Sequence, residues 1–365
     1  MRPVWVLVLA AMAVGCGGKM LYLPGPGAPF TWSQAQGKAQ LANAPEPPLR
    51  LLWQQSLSAG PLGGPLVDGL LLLQTTAGPT LLAFDRQNGR PLGRRGLSAP
   101  QSAAPVVLGS LIAVGEAGPK PALRAYDRGQ NRVRWSYPGL ACAPLAGRAD
   151  TVVAALNAGE VVALAARTGE RLWHTKLDGP LWVGPVLAGD ALYGGDGAAG
   201  LVALELDSGT RRWTRDLGGP LRALATADSA VYAATASGSV LACRAATGEV
   251  LWRAELGSLP AAGVALAGGV LVLGAADRNV YGLDLLSGER RWQYTTEGVV
   301  RSAPAATAST VYVGSSEGHL YALAAGTGRL VWKYQLDGPV LLPVALGAEL
   351  VAVTTEERTL YVFGR

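Results

Sequence analysis

A short motif recurs along almost the whole chain and limits what the chain can fold into. It is clearest at 320–332, LYALAAGTGRLVW, where Gly328 follows the small residue Ala322 by six positions and Trp332 follows it by ten. Four upstream segments keep this spacing of small residue, glycine and tryptophan: Ala163, Gly169 and Trp173; Ala203, Gly209 and Trp213; Ala242, Gly248 and Trp252; and Gly282, Gly288 and Trp292.

Three further copies of the motif are incomplete. Ala125 and Trp135 have Asn131 in the glycine position, Ala83 and Gly89 have Gly93 in the tryptophan position, and Trp53 stands alone. The eight tryptophan positions are then 53, 93, 135, 173, 213, 252, 292 and 332, separated by 38 to 42 residues. A fixed period of this length indicates a repeat architecture.

Each unit contains four apolar segments separated by turns. In the seventh unit they are RSAPAATAS, TVYVGSSEG, HLYALAAGTG and RLVWKYQLDG. Four strands of ordinary length with tight turns account for one unit, and strands that are apolar on both faces indicate sheets packed between other sheets. The repeat therefore predicts an all-β, eight-bladed propeller of four-stranded antiparallel blades. A parallel β-helix is the alternative, but its repeats are shorter.

The two chain ends predict how the ring closes. The repeats begin with a single tryptophan strand, LRLLWQQSL, and end with three strands, VLLPVAL, LVAVTTE and TLYVFG, which lack a tryptophan strand. Joining these segments completes the last blade with the N-terminal strand and leaves no open end in the ring. We expect residues 49–365 to form one propeller domain, which we expect to be monomeric.

Composition excludes some classes of function. Of the 365 residues, 16% are charged, and the formal net charge of +5 comes from scattered Lys and Arg residues rather than a basic run. A nucleic-acid-binding stripe is therefore not indicated. Apolar residues make up 49% of the chain, but no uncharged apolar run long enough to span a bilayer occurs after the N-terminus.

The first 48 residues have a different character. Residues 1–15 combine Arg2, a short apolar segment and small residues before Cys16, which predicts a signal peptide. The sequence AVGC resembles the lipobox of bacterial lipoproteins, which implies acylation of Cys16 and a palmitate-type anchor; ordinary cleavage beside an incidental cysteine is the alternative. Residues 16–48 are rich in Gly, Pro and Ala, and we expect a flexible tether there. Gly17 lacks the aspartate that retains lipoproteins at the inner membrane in that family, which implies the outer membrane, with the ring on its periplasmic face.

The spacing of the motif resembles the tryptophan-docking motif of the pyrroloquinoline-quinone propeller repeat family. The resemblance covers about residues 50 to 365, and seven of the ten tryptophans fall in one frame. It implies that these tryptophans are structural, each lying against the next blade near its glycine, with the small residue making room. The docking tryptophans are Trp53, Trp135, Trp173, Trp213, Trp252, Trp292 and Trp332.

The same resemblance raises the possibility of a quinone-dependent dehydrogenase. Those enzymes carry an adjacent cysteine pair and a calcium ion held by Glu, Asn and Asp, whereas Cys142 and Cys243 are far apart and no acidic cluster supplies calcium ligands. His174 and His319 lie in different units, which argues against a zinc site. We therefore expect no enzyme activity, no metal and no cofactor.

Residues that interrupt the repeat are the candidates for function. Aligned units place Trp182, Arg222 and Arg301 at the start of first strands, near the central opening of the predicted ring. Trp182 is the only tryptophan of the repeats that is out of frame, and tryptophan and arginine are enriched at binding hot spots. We expect these three residues to bind a protein partner. The alternative is that Trp182 fills a gap beside its blade and the arginines are solvated.

Signal, length and repeats together resemble the BamB-type outer-membrane assembly lipoprotein family. That resemblance implies a non-enzymatic scaffold that faces the periplasm, binds the β-barrel assembly machine and assists insertion of outer-membrane proteins. Two alternatives stay open among binding proteins, namely a lipoprotein scaffold of another envelope system and a carbohydrate-binding propeller.

Overall fold

The computed structural model describes residues 44–196, 200–227 and 229–365. The predicted signal peptide (1–15), Cys16 and most of the predicted tether (16–48) lie outside the described residues. The described residues form eight four-stranded antiparallel sheets, with a single 3₁₀ turn at Asn157–Gly159. The eight-bladed propeller predicted from the repeat is confirmed. No helix among these residues has the length and apolar character needed to cross a membrane.

Strands are numbered in chain order, and β1 (Arg50–Ser56) belongs to the last blade. The strands of blades 1 to 4 are β2 (Leu66–Asp68), β3 (Leu71–Thr76), β4 (Thr80–Asp85) and β5 (Pro91–Gly96); β6 (Gln101–Leu108), β7 (Leu111–Glu116), β8 (Ala122–Asp127) and β9 (Arg132–Pro138); β10 (Ala146–Arg148), β11 (Thr151–Leu156), β12 (Glu160–Ala165) and β13 (Arg171–Lys176); and β14 (Leu181–Ala188), β15 (Ala191–Asp196), β16 (Gly200–Glu205) and β17 (Arg211–Asp216).

Blades 5 to 7 follow the same order. Their strands are β18 (Leu221–Ala227), β19 (Ala230–Thr235), β20 (Ser239–Arg244) and β21 (Val250–Glu255); β22 (Pro260–Ala267), β23 (Val270–Ala275), β24 (Asn279–Asp284) and β25 (Arg290–Thr295); and β26 (Ala305–Ala306), β27 (Thr310–Gly314), β28 (His319–Ala324) and β29 (Leu330–Gln335). Blade 8 consists of β30 (Ala345–Gly347), β31 (Leu350–Thr354), β32 (Thr359–Gly364) and the N-terminal β1.

We call the strands of each blade A to D, from the innermost to the outermost. Because successive strands are antiparallel, the A–B and C–D turns lie at one end of every blade, and the B–C turns and the starts of the A strands lie at the other. Rotation about the ring axis brings equivalent ends to the same side of a propeller. We name the side with the A–B and C–D turns the lower face and the opposite side the upper face.

The ring closes through β1. It pairs with β32 in antiparallel register from Arg50 opposite Gly364 to Ser56 opposite Thr359, as the sequence of the two chain ends predicted. A buried polar contact also joins blade 8 to blade 1, since the Thr354 hydroxyl donates to Gln74 Oε1 at 2.9 Å. Closure therefore depends on main-chain pairing and on a side-chain bond across the joint.

A β-bulge recurs in the D strand of all eight blades. In blade 5, Ala242 pairs with Trp252 and Cys243 with Val250, so that Leu251 is the extra residue. The equivalent residues, which we call the bulge residues, are Leu52, Leu92, Arg134, Leu172, Arg212, Leu251, Arg291 and Val331. A bulge changes the direction of the side chains that follow it, and here it directly precedes each tryptophan position.

Candidate functional site

Six of the seven docking tryptophans make the same bond to the following blade. Each indole Nε1 donates to a backbone carbonyl in the C–D turn of that blade, at 2.6 to 3.0 Å. The donor and acceptor residues are Trp53 and Arg86, Trp135 and Ala166, Trp173 and Leu206, Trp213 and Ala245, Trp252 and Leu285, and Trp292 and Ala325. These bonds satisfy the one polar atom of a side chain that otherwise packs between sheets.

The glycine of the motif meets this indole. In the six turns that receive a tryptophan, the glycine has a φ of +68° to +74°, and a Cβ atom there would lie 2.4 to 2.7 Å from the indole ring. Glycine is therefore required for two reasons: the backbone is left-handed, and the indole ring leaves no room for a Cβ atom. The glycines and tryptophans of the regular motif copies therefore pack one blade against the next.

The two irregular copies of the motif face each other at the junction of blades 1 and 2. Gly93, in the D strand of blade 1, takes the place of a tryptophan. The C–D turn of blade 2, which would receive that tryptophan, has Asn131 in place of the glycine. Arg95 spans this junction, because its Nη1 donates to the Asn131 carbonyl at 2.6 Å and to Asn131 Oδ1 at 2.9 Å. Its guanidinium also lies 4.8 Å from the centre of the Tyr126 ring. A polar contact thus occupies the place of the indole.

Trp332 has no glycine turn to meet, because β1 and the C-terminus replace the C–D turn in blade 8. It lies instead beside Phe363 with ring centres 5.5 Å apart in an edge-to-face arrangement, and beside Tyr334 at 5.8 Å. Aromatic contacts therefore take the place of the hydrogen-bonded joint where the chain ends meet.

The three residues predicted to bind a partner all lie exposed on the upper face. Trp182 is the second residue of β14 and is 58% exposed. Arg222 occupies the same position in β18, the inner strand of the next blade, which contacts β14. Arg301 precedes β26, two blades beyond Arg222. The fold brings Trp182 and Arg222 onto adjacent strands and leaves Arg301 farther round the ring.

A thiol contacts the backbone of the residue that precedes Trp182. Cys142, which precedes β10 in blade 3, is half-buried, and its Sγ lies 3.2 Å from the Leu181 carbonyl and 3.5 Å from the Ala155 carbonyl. Burial raises the pKa of this thiol. Cys243 is buried in β20 of blade 5, and both cysteines are free. The neutral Cys142 thiol thus links the start of blade 3 to β14, the strand that carries Trp182.

A polar cluster that sequence reasoning missed lies on the upper face of blade 7. Lys333 donates to Glu297, and His319 Nδ1 lies 3.5 Å from Glu297 Oε2. The hydrogen bond from Lys333 lowers the pKa of Glu297, while burial and the charge of Lys333 lower the pKa of His319. Glu297, His319 and Lys333 are 14 to 36 positions apart along the chain, so only the fold brings them together.

Other groups that attract attention as possible sites are engaged in packing. The carboxylate of Glu116 is fully buried in blade 2, where it accepts hydrogen bonds from the Ser98 backbone N–H at 3.0 Å, from Arg124 at 2.6 Å and from the Tyr126 hydroxyl. His174 is exposed on β13. Among the residues that the structure describes, no three His, Cys, Asp or Glu side chains are grouped to hold a metal ion.

Comparison with known proteins identifies the family. The family model described as outer membrane protein assembly factor BamB matches residues 49–181, 157–304 and 295–364, which together span the propeller. No curated protein sequence matches the chain.

Solved structures share the fold at low sequence identity. BamB from Moraxella catarrhalis superposes with a TM-score of 0.71 and 16% identity, over 87% of this chain and all of that one. The quinohemoprotein alcohol dehydrogenase ADHIIG from Pseudomonas putida HK5 gives 0.73 and 13%, over 91% of this chain and 78% of that one. A europium-containing methanol dehydrogenase gives 0.72 and 15%, over 87% and 93%. These likenesses concern the fold, whereas the family model matches the sequence: the chain belongs to the outer membrane protein assembly factor BamB family of propeller proteins.

Proposed function

We propose that this protein is a non-enzymatic, periplasm-facing scaffold that binds the β-barrel assembly machinery and assists assembly and insertion of outer-membrane proteins. Membership of the BamB family supports this function. The observation that carries it is the exposed indole of Trp182 beside Arg222 on adjacent inner strands of the upper face. Tryptophan and arginine are among the residue types enriched at the hot spots of protein interfaces.

The proposal includes an anchor at Cys16 that holds the protein at the periplasmic side of the outer membrane. Its support is the sequence around Cys16, which has the order of a lipoprotein signal. Mass spectrometry of the N-terminal peptide from purified membranes tests the anchor directly. An acylated peptide beginning at Cys16 is expected, and an unmodified cysteine would contradict the anchor.

Partner recovery tests the scaffold. We would crosslink cells that carry wild-type protein or the triple variant Trp182→Ala, Arg222→Ala and Arg301→Ala, and then purify the protein from membranes. Loss of a hot-spot residue costs about 2 kcal/mol or more, close to thirtyfold in affinity. We expect the variant to lose a barrel-assembly subunit that the wild type recovers.

A matched control removes one exposed apolar residue and two cations in blades 1 and 2, away from the patch in blades 4, 5 and 7. The changes are Leu62→Ala before β2, Lys120→Ala before β8 and Arg94→Ala on β5. This control is expected to recover the same partners as the wild type. If the patch variant also keeps every partner, the upper-face patch does not bind them. Recovery of other envelope proteins in place of a barrel-assembly subunit favours a scaffold of another system.

A quinone-dependent dehydrogenase is the competing proposal, because two such enzymes share the fold at 13% and 15% identity. Titration of the protein with pyrroloquinoline quinone, followed by dye-linked oxidation assays, separates the two. Saturable binding with turnover would replace the scaffold proposal, and neither is expected.

A further inference from the structure

The described end of the predicted tether is fastened to the lower face of blade 7. The Glu46 carboxylate accepts hydrogen bonds from Thr307 and Ser309, each at 2.6 Å, and from Thr310, all in or beside the A–B turn of that blade. The Pro45 carbonyl accepts from the buried Tyr312 hydroxyl. The chain therefore reaches the ring from the lower face before it enters β1.

The C-terminus holds the same segment from the other side. Arg365 Nε donates to the Glu46 carbonyl at 3.2 Å, and Arg50 Nε donates to the Arg365 carbonyl at 2.9 Å. The described part of the chain therefore begins at the lower face, next to the joint of blades 7 and 8. An anchor N-terminal to residue 44 is thus joined to the ring at this face.

Exposed apolar side chains are concentrated on the same face. Of twelve large apolar residues that are exposed in the described part of the chain, nine lie in lower-face turns or at the lower ends of D strands. Leu286, in the C–D turn of blade 6, is 90% exposed, and the bulge residues Leu172 and Leu251 are 54% and 45% exposed. The other three of these twelve residues, Leu62, Trp182 and Leu259, lie on the upper face. Single exposed apolar residues are ordinary, but nine on one face against three on the other mark the lower face as a candidate contact surface.

Arginines alternate with these apolar side chains round the ring. From blade 2 to blade 7 the bulge residues are Arg134, Leu172, Arg212, Leu251, Arg291 and Val331. Arg212 is ion-paired with Asp190 and Glu205, and Arg291 with Asp284, whereas Arg134 is exposed and makes no ion pair among the described residues. Further exposed arginines lie at the lower ends of D strands: Arg132, Arg171 and Arg290. The outer margin of the lower face thus combines guanidinium groups with aliphatic side chains.

A flat, anionic surface matches this arrangement. Equivalent positions of a propeller lie in one plane, so a bilayer contacts all blades at once, whereas a protein interface of about 800 Å² per partner covers only part of a ring. Arginines attract anionic headgroups while neighbouring aliphatic side chains enter the interfacial region. We propose that the lower face of the ring rests on an anionic bilayer surface, which directs Trp182 and Arg222 away from the membrane. This orientation deepens the proposed function and relies on the Cys16 anchor to bring the ring to the bilayer.

Depth-dependent quenching tests the orientation. In a full-length Cys142→Ser, Cys243→Ala background, a fluorophore is attached at Leu286→Cys on the lower face or at Leu259→Cys on the upper face, where Leu259 is 43% exposed. The labelled proteins are mixed with excess vesicles of phosphatidylethanolamine and phosphatidylglycerol that contain headgroup nitroxide lipids. We expect several-fold stronger quenching at 286 than at 259, and a smaller difference at high salt because the arginines are screened. Equal quenching, or stronger quenching at 259, would overturn the orientation.

A second variant tests the bulge residues themselves. Leu172→Ser with Leu251→Ser is expected to reduce quenching at 286, while Leu62→Ser on the upper face leaves it unchanged. Unchanged quenching in the double variant would show that these side chains do not contact the bilayer. The mass of the Cys16 peptide reports separately on the anchor. Equal quenching with an acylated Cys16 overturns the orientation, whereas an unmodified Cys16 contradicts the anchor on which the orientation relies.

Discussion

Trp252 and Gly288 meet where two blades join. The contribution of this contact to the free energy of unfolding can be measured by changing either residue. Trp252 is buried between blades 5 and 6, and its Nε1 donates to the Leu285 carbonyl at 3.0 Å. Truncation to Ala removes a large buried ring and this bond, and is expected to lower the free energy of unfolding by about 3 to 5 kcal/mol. The size of this loss alone does not reveal whether the indole and the glycine act as a pair.

Gly288→Ala supplies that information. Gly288 has a φ of +73°, and an added Cβ would lie 2.5 Å from the Trp252 ring. We expect about 1 kcal/mol from the left-handed backbone and a further 1 to 3 kcal/mol from the overlap with the indole. Gly257 is the matched control, because its φ is +72° and no atom lies within 4 Å of a Cβ placed there. Gly257→Ala should therefore show the backbone cost alone.

The assay is urea unfolding followed by far-ultraviolet circular dichroism, on the wild type, the three single variants and the double variant Trp252→Ala, Gly288→Ala. In the double variant the overlap is absent, so Gly288→Ala should cost at least about 1 kcal/mol less than in the wild type. If Gly288→Ala destabilises no more than Gly257→Ala, or if its effect adds to that of Trp252→Ala, the glycine does not serve to admit the indole.

Two further predictions concern the carboxylates of Glu46, which is partly buried, and Glu116, which is fully buried. Burial raises the pKa of Glu46, but hydrogen bonds from Ser309, Thr307 and Thr310 and the charge of Arg365 outweigh it, so the net pKa is below the ordinary value. The stabilisation by Glu46 is then complete above its ordinary pKa of 4.5 and is lost as the pH falls through the lower pKa of the folded protein. Glu46→Gln should remove this dependence of stability on acid pH, measured by urea unfolding. A pH profile of stability that is the same in the variant and the wild type would contradict the prediction. Glu116→Ala, which leaves Arg124 without its partner at 2.6 Å, should lower the free energy of unfolding by about 3 to 5 kcal/mol, and an effect below about 1 kcal/mol would show that the pair contributes little.

The lower face of the ring is predicted to contact the bilayer, and the upper face to bind the protein partner. The tether segment, Leu286 and the alternating bulge residues lie below, whereas Trp182, Arg222 and Arg301 lie above. A variant that loses partners should therefore keep its quenching at residue 286, and a variant that loses quenching should still recover partners. These paired measurements distinguish a damaged surface from a damaged fold.

The sequence determined the number of blades, their strand order and the closure by the N-terminal strand. It did so because the packing of one blade against the next repeats about every 40 residues. Large residues such as Trp213 and Trp292 mark this period, so it can be recognised in the sequence without a structure. It also placed Trp182 and Arg222 at the starts of inner strands, because the alignment of repeats carries over to the alignment of blades.

Only the tertiary structure revealed what the irregular positions do. Gly93 and Asn131 are separated by 38 residues, and nothing in either segment indicates that they face each other and that Arg95 occupies the space between them. The bulge before every tryptophan was likewise invisible, since an extra residue in one strand is defined only by its partner strand. The same holds for Glu46, whose hydroxyl partners lie more than 260 positions away. Contacts that recur in every blade leave a period in the sequence, whereas contacts made once, such as those of Arg95 with Asn131 and of Glu46 with Thr307, leave none and are seen only in the folded ring.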